Sequence, residues 1–206
     1  MDWSVAWHGF FELTAQFDLV LALVGLGLGL GPRDRGTLAA GILLFIGSDV
    51  AAALGAHQQF AQYPWIEVRL ADGTFLGALA SVFSGAALLA PAIVASVAGL
   101  LAAIANGVIA GVLISYKTPA GPEQVSFAIG AISATILPFA VALTGRRLMG
   151  IADWTNIAGR IVGAWLVAIA ALLLALPTSP RHSPPTQPAV SSLPTPPEAF
   201  RSVVPP

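Results

Sequence analysis

Residues 92–115 read AIVASVAGLLAAIANGVIAGVLIS and contain no Asp, Glu, Lys, Arg or His. A membrane-spanning helix needs about 20 predominantly apolar residues, and this run meets that length with Asn106 as its most polar side chain. Further apolar runs extend over 10–31, 37–57, 74–90, 125–145 and 157–176, each near the span length of about 17 to 25 residues. The expectation is an all-α polytopic transmembrane bundle of about six helices. Turn chemistry separates the runs: Gly31-Pro32-Arg33-Asp34-Arg35-Gly36, Tyr63-Pro64 through Asp72-Gly73, Pro91, Pro119 to Pro122, and Arg146 to Asp153. Pro91 marks a tight hairpin, because one helix over 74–115 would be far too long for a single span.

Composition agrees. Of the 206 residues 56% are hydrophobic and 9% charged, against about 45–50% and about 25% in soluble domains, so the polar surface of a water-soluble globule is not available. The apolar residues suffice for about six spans and leave none for a second folded domain, which puts the transmembrane domain at 1–176. Cysteine is absent, so disulfides, thiolate metal sites and catalytic thiols are excluded together. A net charge of −1 points to no nucleic-acid partner. The start, Met1-Asp2-Trp3-Ser4, has no Lys or Arg before the first apolar run and does not read as a cleavable signal.

Residues 177–206 hold ten of the sixteen prolines and none of the 21 glycines. This Pro-rich stretch reads either as a disordered end or as a polyproline-like strap on another subunit of a membrane complex, with Phe200, Val203 and Val204 as apolar anchors. Placing the amino terminus outside gives the inner loops Arg33, Arg35, Arg146, Arg147 and Arg160, and the outer ones Arg69, Lys117 and Arg181. The doublets Arg33/Arg35 and Arg146/Arg147, both at helix ends, favour that orientation, with both termini outside a bacterial inner membrane.

Ionisable side chains cost about 2.5 to 3.5 kcal/mol at the centre of a span, so those within the runs point first to function. They are Glu12 and Asp18 in the first run and Asp49 in the second, with Asn106 in the fourth as a neutral companion. On straight helices Asp18, Asp49 and Asn106 share a depth of about 12 to 14 Å from the outer ends. His8 and His57 stand at the mouths of the first two helices, which gives an outward polar funnel able to take a small cation. An all-oxygen set suits Mg²⁺, Mn²⁺ or a proton. The alternative is interhelical glue: Asp18 and Asp49 protonated and bonded to Thr14, Ser48 or Asn106, with the histidines merely solvated. No Ser/His/Asp grouping, phosphate loop or HExxH occurs, so no enzyme is expected. Small residues at Gly25/Gly29, Gly27/Gly31, Gly77/Ser81/Gly85, Gly107/Gly111 and Gly159/Gly163 are spaced by four and predict close helix crossings.

The order of these features resembles the HupE/UreJ family, six-helix membrane proteins of hydrogenase and urease maturation regarded as nickel permeases. Asp18 followed by Leu19-Val20-Leu21-Ala22-Leu23-Val24-Gly25-Leu26 looks like the aspartate-led first-helix stretch of that family. Gly77 through Val82 is similar to its third-helix segment, Asn106 through Gly111 falls where the family has HGxAHG, and Gly130 through Thr135 resembles its GFxxAT. The family's histidines fall here on Glu12, Leu19, Asn106, Ala110 and Phe139. The resemblance therefore implies a divergent member: a permease for a small metal cation, or a non-transporting accessory subunit of a larger complex.

Overall fold

The first apolar run becomes two helices rather than one. The computed structural model describes residues 2–60, 73–119, 121–149 and 153–175, and these residues contain no strand. Their helices are α1 (Trp3–Thr14), α2 (Phe17–Leu30), α3 (Arg35–Phe60), α4 (Thr74–Leu89), α5 (Ala95–Lys117), α6 (Gln124–Leu148) and α7 (Asp153–Ala175). Between α1 and α2 the axis turns by 80°. Gln16 leaves helical geometry at φ −81°, ψ 78°. Just before it, the Thr14 hydroxyl turns back on the Phe10 and Phe11 carbonyls at 3.0 and 3.1 Å, a side-chain bond that competes with the ladder and bends helices.

Close packing holds the two halves apart. Gly9 and Gly130 bring α1 and α6 so near that a Cβ on Gly9 would strike the Phe127 carbonyl and one on Gly130 the Ala6 carbonyl. At the other half, the Asp18 side of α2 lies against Gly77 of α4. Asp18 therefore stands in the first turn of α2. The depth expected for it on a straight helix over 10–31 does not hold, because that straight helix does not exist.

Helix α2 is the centre of the bundle. Its sequence, FDLVLALVGLGLGL, is apolar on every side, which suits a helix surrounded by protein. Leu19, Leu23, Leu26 and Leu30 are each 1% exposed or less. It packs mainly on α4 and α6, while α4 also carries α7, and α5 carries α3. The glycine pairs act unequally. Gly107 and Gly111 seat α5 directly on the α3 backbone at Phe45 and Asp49, and Gly85 meets Gly163 where α4 crosses α7. Gly29 and Gly159 reach only ordinary van der Waals contact with Leu88. Pro91 does close a turn, its carbonyl accepting the Val94 N–H at 3.0 Å, so α4 and α5 are separate helices.

Four helices, α3, α5, α6 and α7, are long and apolar enough to cross a membrane, and the bent pair makes a fifth if taken as one span. Helix α4, with 16 residues, is shorter than a full span. The outward faces agree with lipid as solvent: Leu43 and Leu54 on α3 and Trp165 and Leu172 on α7 are each more than 60% exposed. Apolar surface of that extent is unfavourable in water and costs nothing against acyl chains. The chain is a helical membrane protein.

Candidate functional site

Asp49 lies midway along α3 at 1% exposure, in a setting made by three helices. From α6 the Thr135 hydroxyl approaches Asp49 Oδ2 at 3.0 Å and the Ile132 carbonyl at 2.8 Å. From α5, Gly107 and Gly111 allow the backbone to press on Ser48 and Asp49. The Phe45 and Phe139 rings, 5.1 Å apart, add an apolar wall between α3 and α6. Asn106, fully buried beside Gly107, spends its amide on the Ala102 carbonyl at 2.8 Å. This leaves Asp49 Oδ1 and Asn106 Oδ1 buried without a donor. Two such acceptors cannot hold an anion; they call for something that carries hydrogens or positive charge.

The hydrogen-bond partners expected for Asp18 and Asp49 are corrected by this geometry. Thr14 and Ser48 return their hydroxyls to their own helices, Ser48 to the Leu44 carbonyl at 2.6 Å, and the Asn106 amide does likewise. The partner of Asp49 is Thr135. A hydroxyl inside a helix satisfies a preceding carbonyl more easily than a distant group, which is why Thr14 and Ser48 are already engaged. Sequence reading passed over Thr135 as a site residue. Its signal was its place on the stripe Phe127, Ala131, Ala134 and Phe139, all buried on α6, where a buried hydroxyl needs a partner.

The other candidates lie elsewhere. Glu12 on α1 is paired with Lys117 in the last turn of α5, Lys117 mostly buried and Glu12 partly exposed. Asp18 is half-buried, and its backbone carbonyl accepts the Ser81 hydroxyl at 3.3 Å. His8 is exposed, its ring 6.0 Å from that of Phe127, and lines an open cleft of about 360 Å³ with Ser4, Lys117, Pro119 and Glu123. Among the described residues no three of Asp, Glu and His converge as a metal-binding group. The polar funnel is thus divided among a cleft carrying His8 and the Glu12–Lys117 pair, the Asp18 turn, and the buried Asp49 and Asn106. The side chain of His57, and Phe200, Val203 and Val204 of the Pro-rich stretch, lie outside the described residues. No family model, no curated protein and no solved structure matches this chain.

Proposed function

We propose that the chain is a permease-like carrier of a small cation, a divergent relative of the HupE/UreJ proteins, and not an enzyme. The bent pair α1–α2 and the short α4 each serve as one span, which gives six, with both termini on the outer side of a bacterial inner membrane. The single observation that carries the reading is Asp49: a carboxyl 1% exposed and engaged by one hydroxyl, with its second oxygen buried and without a partner. A buried carboxyl is costly in hydrocarbon and is retained where a cation or proton visits. The cargo enters by the cleft at His8 and Lys117 and is received by oxygen donors, which favour Mg²⁺, Mn²⁺ or a proton over Ni²⁺.

The test is uptake of each metal ion, and of protons by an internal dye, into proteoliposomes holding the full chain. Asp49→Asn should abolish uptake and leave the elution profile and helical content unchanged, and Asp18→Asn tests whether the start of α2 belongs to the same path. Uptake that is equal in Asp49→Asn and the unaltered chain removes Asp49 from any transport role.

A second reading, the accessory subunit, is favoured by one face of α3. Gly47 and Gly55 have nothing within 4 Å of where a Cβ would stand, and both are exposed beside Leu43 and Leu54. Small residues left open in this way suit a neighbouring helix from another subunit. Crosslinking from Gly47→Cys in native membranes, with and without residues 177–206, separates this reading from a lone permease.

A further inference from the structure

One end of the bundle gathers cationic side chains on three helix ends. Gly31, closing α2, lies directly against the Arg146 side chain in the last turn of α6; a Cβ there would stand 2.8 Å from Arg146 Cβ. Arg146 is 7% exposed and donates from Nη2 to Asn156 Oδ1 on α7 at 2.8 Å. Two residues beyond Gly31 is Arg33, half-buried, whose Nε is buried and lacks a hydrogen-bond partner. Burial lowers the pKa of this guanidinium from its ordinary value, a sign of a charge partly stripped of water. Arg35 and Arg147 stand exposed alongside. The acid between Arg33 and Arg35 does not answer them: Asp34 accepts the Thr37 N–H at 2.9 Å and the Thr37 hydroxyl at 2.6 Å.

We propose that this arginine corner binds the phosphate of an anionic phospholipid headgroup, with Arg33 as the principal contact. A guanidinium is a planar fork whose N–H groups match phosphate oxygens, and a buried N–H without an acceptor is costly until one arrives. The position fits a lipid. Helix ends lie at headgroup level, and exposed Leu148, Met149 and Trp154 beside the corner offer apolar surface for the first acyl carbons. Free phosphate shares the headgroup chemistry but makes no use of that apolar flank. Anionic leaflets also favour basic side chains at the membrane surface.

The experiment uses the full chain in mild detergent. Lipid retained per chain is counted by native mass spectrometry after adding phosphatidylglycerol or phosphatidylcholine with the same acyl chains. Phosphatidylglycerol should be retained about tenfold more strongly, the worth of one charge-assisted bidentate contact. Arg33→Gln should remove the preference, Arg160→Gln should keep it, and millimolar inorganic phosphate should not displace the lipid. If Arg33→Gln fails to fold, Arg33→Lys keeps the charge without the fork and should lower the preference several-fold. Equal retention of the two lipids, a preference unchanged in a folded Arg33 variant, or displacement by inorganic phosphate overturns the proposal.

Discussion

Thr135 on α6 meets Asp49 on α3 at 3.0 Å, a polar contact between two helices that also meet at the Phe45 and Phe139 rings. The threonine has one hydrogen and two acceptors within reach, the carboxyl oxygen and the Ile132 carbonyl at 2.8 Å. Asp49 Oδ1 is buried without a hydrogen-bond partner, and in the carboxylate form it accepts a donor or a cation. The pair fastens the lipid-facing helix α3 chemically to α6.

That fastening is measurable as a coupling. In a double-mutant cycle with Thr135→Val and Asp49→Leu, followed by unfolding in detergent, the interaction energy should be about 0.6 kcal/mol and no more than about 1.7 kcal/mol, as for other interhelical bonds in membranes. Thr135→Val alone should cost more than the same change beside Asp49→Leu. Additive effects would show that the contact contributes nothing.

The glycine contacts predict opposite signs at two positions on the same scale. Gly130→Ala places a methyl into the Ala6 carbonyl and should cost roughly 1–3 kcal/mol, the range for overpacking. Gly47→Ala meets nothing within 4 Å on a helical surface and should stabilise by about 0.5–1 kcal/mol. Thermal unfolding of both variants in one detergent compares them directly.

Asp34 predicts a pH dependence outside the membrane. The hydroxyl and N–H of Thr37 hold its carboxyl below the ordinary carboxylate range. A depressed folded pKa means that the capping contribution is present above the unfolded value of about 3.9 and is lost as pH falls through the folded one. Asp34→Ala should therefore melt at a lower temperature than the unaltered chain at pH 7, and the gap should close on titration well below pH 4. A gap independent of pH would mean the cap acts without its charge.

Absence of cysteine makes the orientation testable with single introduced thiols. Ser4→Cys should react with a membrane-impermeant maleimide added to intact cells, whereas Asp34→Cys and Leu148→Cys should react only after lysis. The reverse pattern would invert the topology and place the arginine corner on the outer side.

The membrane class, the helix ends near Pro91 and Pro119, and the close crossing at Gly107/Gly111 were legible in the chain. Hydropathy, proline and i,i+4 spacing act within one segment, so a single sequence displays them. The contacts at Gly9 and Gly130 were not, although both are glycines in apolar helices, because nothing local says which glycine faces a backbone. The same holds for Lys117, whose partner Glu12 lies 105 residues away.

What the sequence by itself determined is the solvent of this protein and the material of its site: apolar helices for lipid, with Asp49 and Asn106 as costly exceptions inside them. What only the tertiary structure decided is their company. The break at Gln16 removed Asp18 from the depth a straight helix would give it, Lys117 engaged Glu12, and Thr135 came to Asp49 from a helix nearly ninety residues on. Burial cost belongs to a residue and its own segment, whereas a hydrogen-bond partner is supplied by whichever helix the packing of small residues brings near.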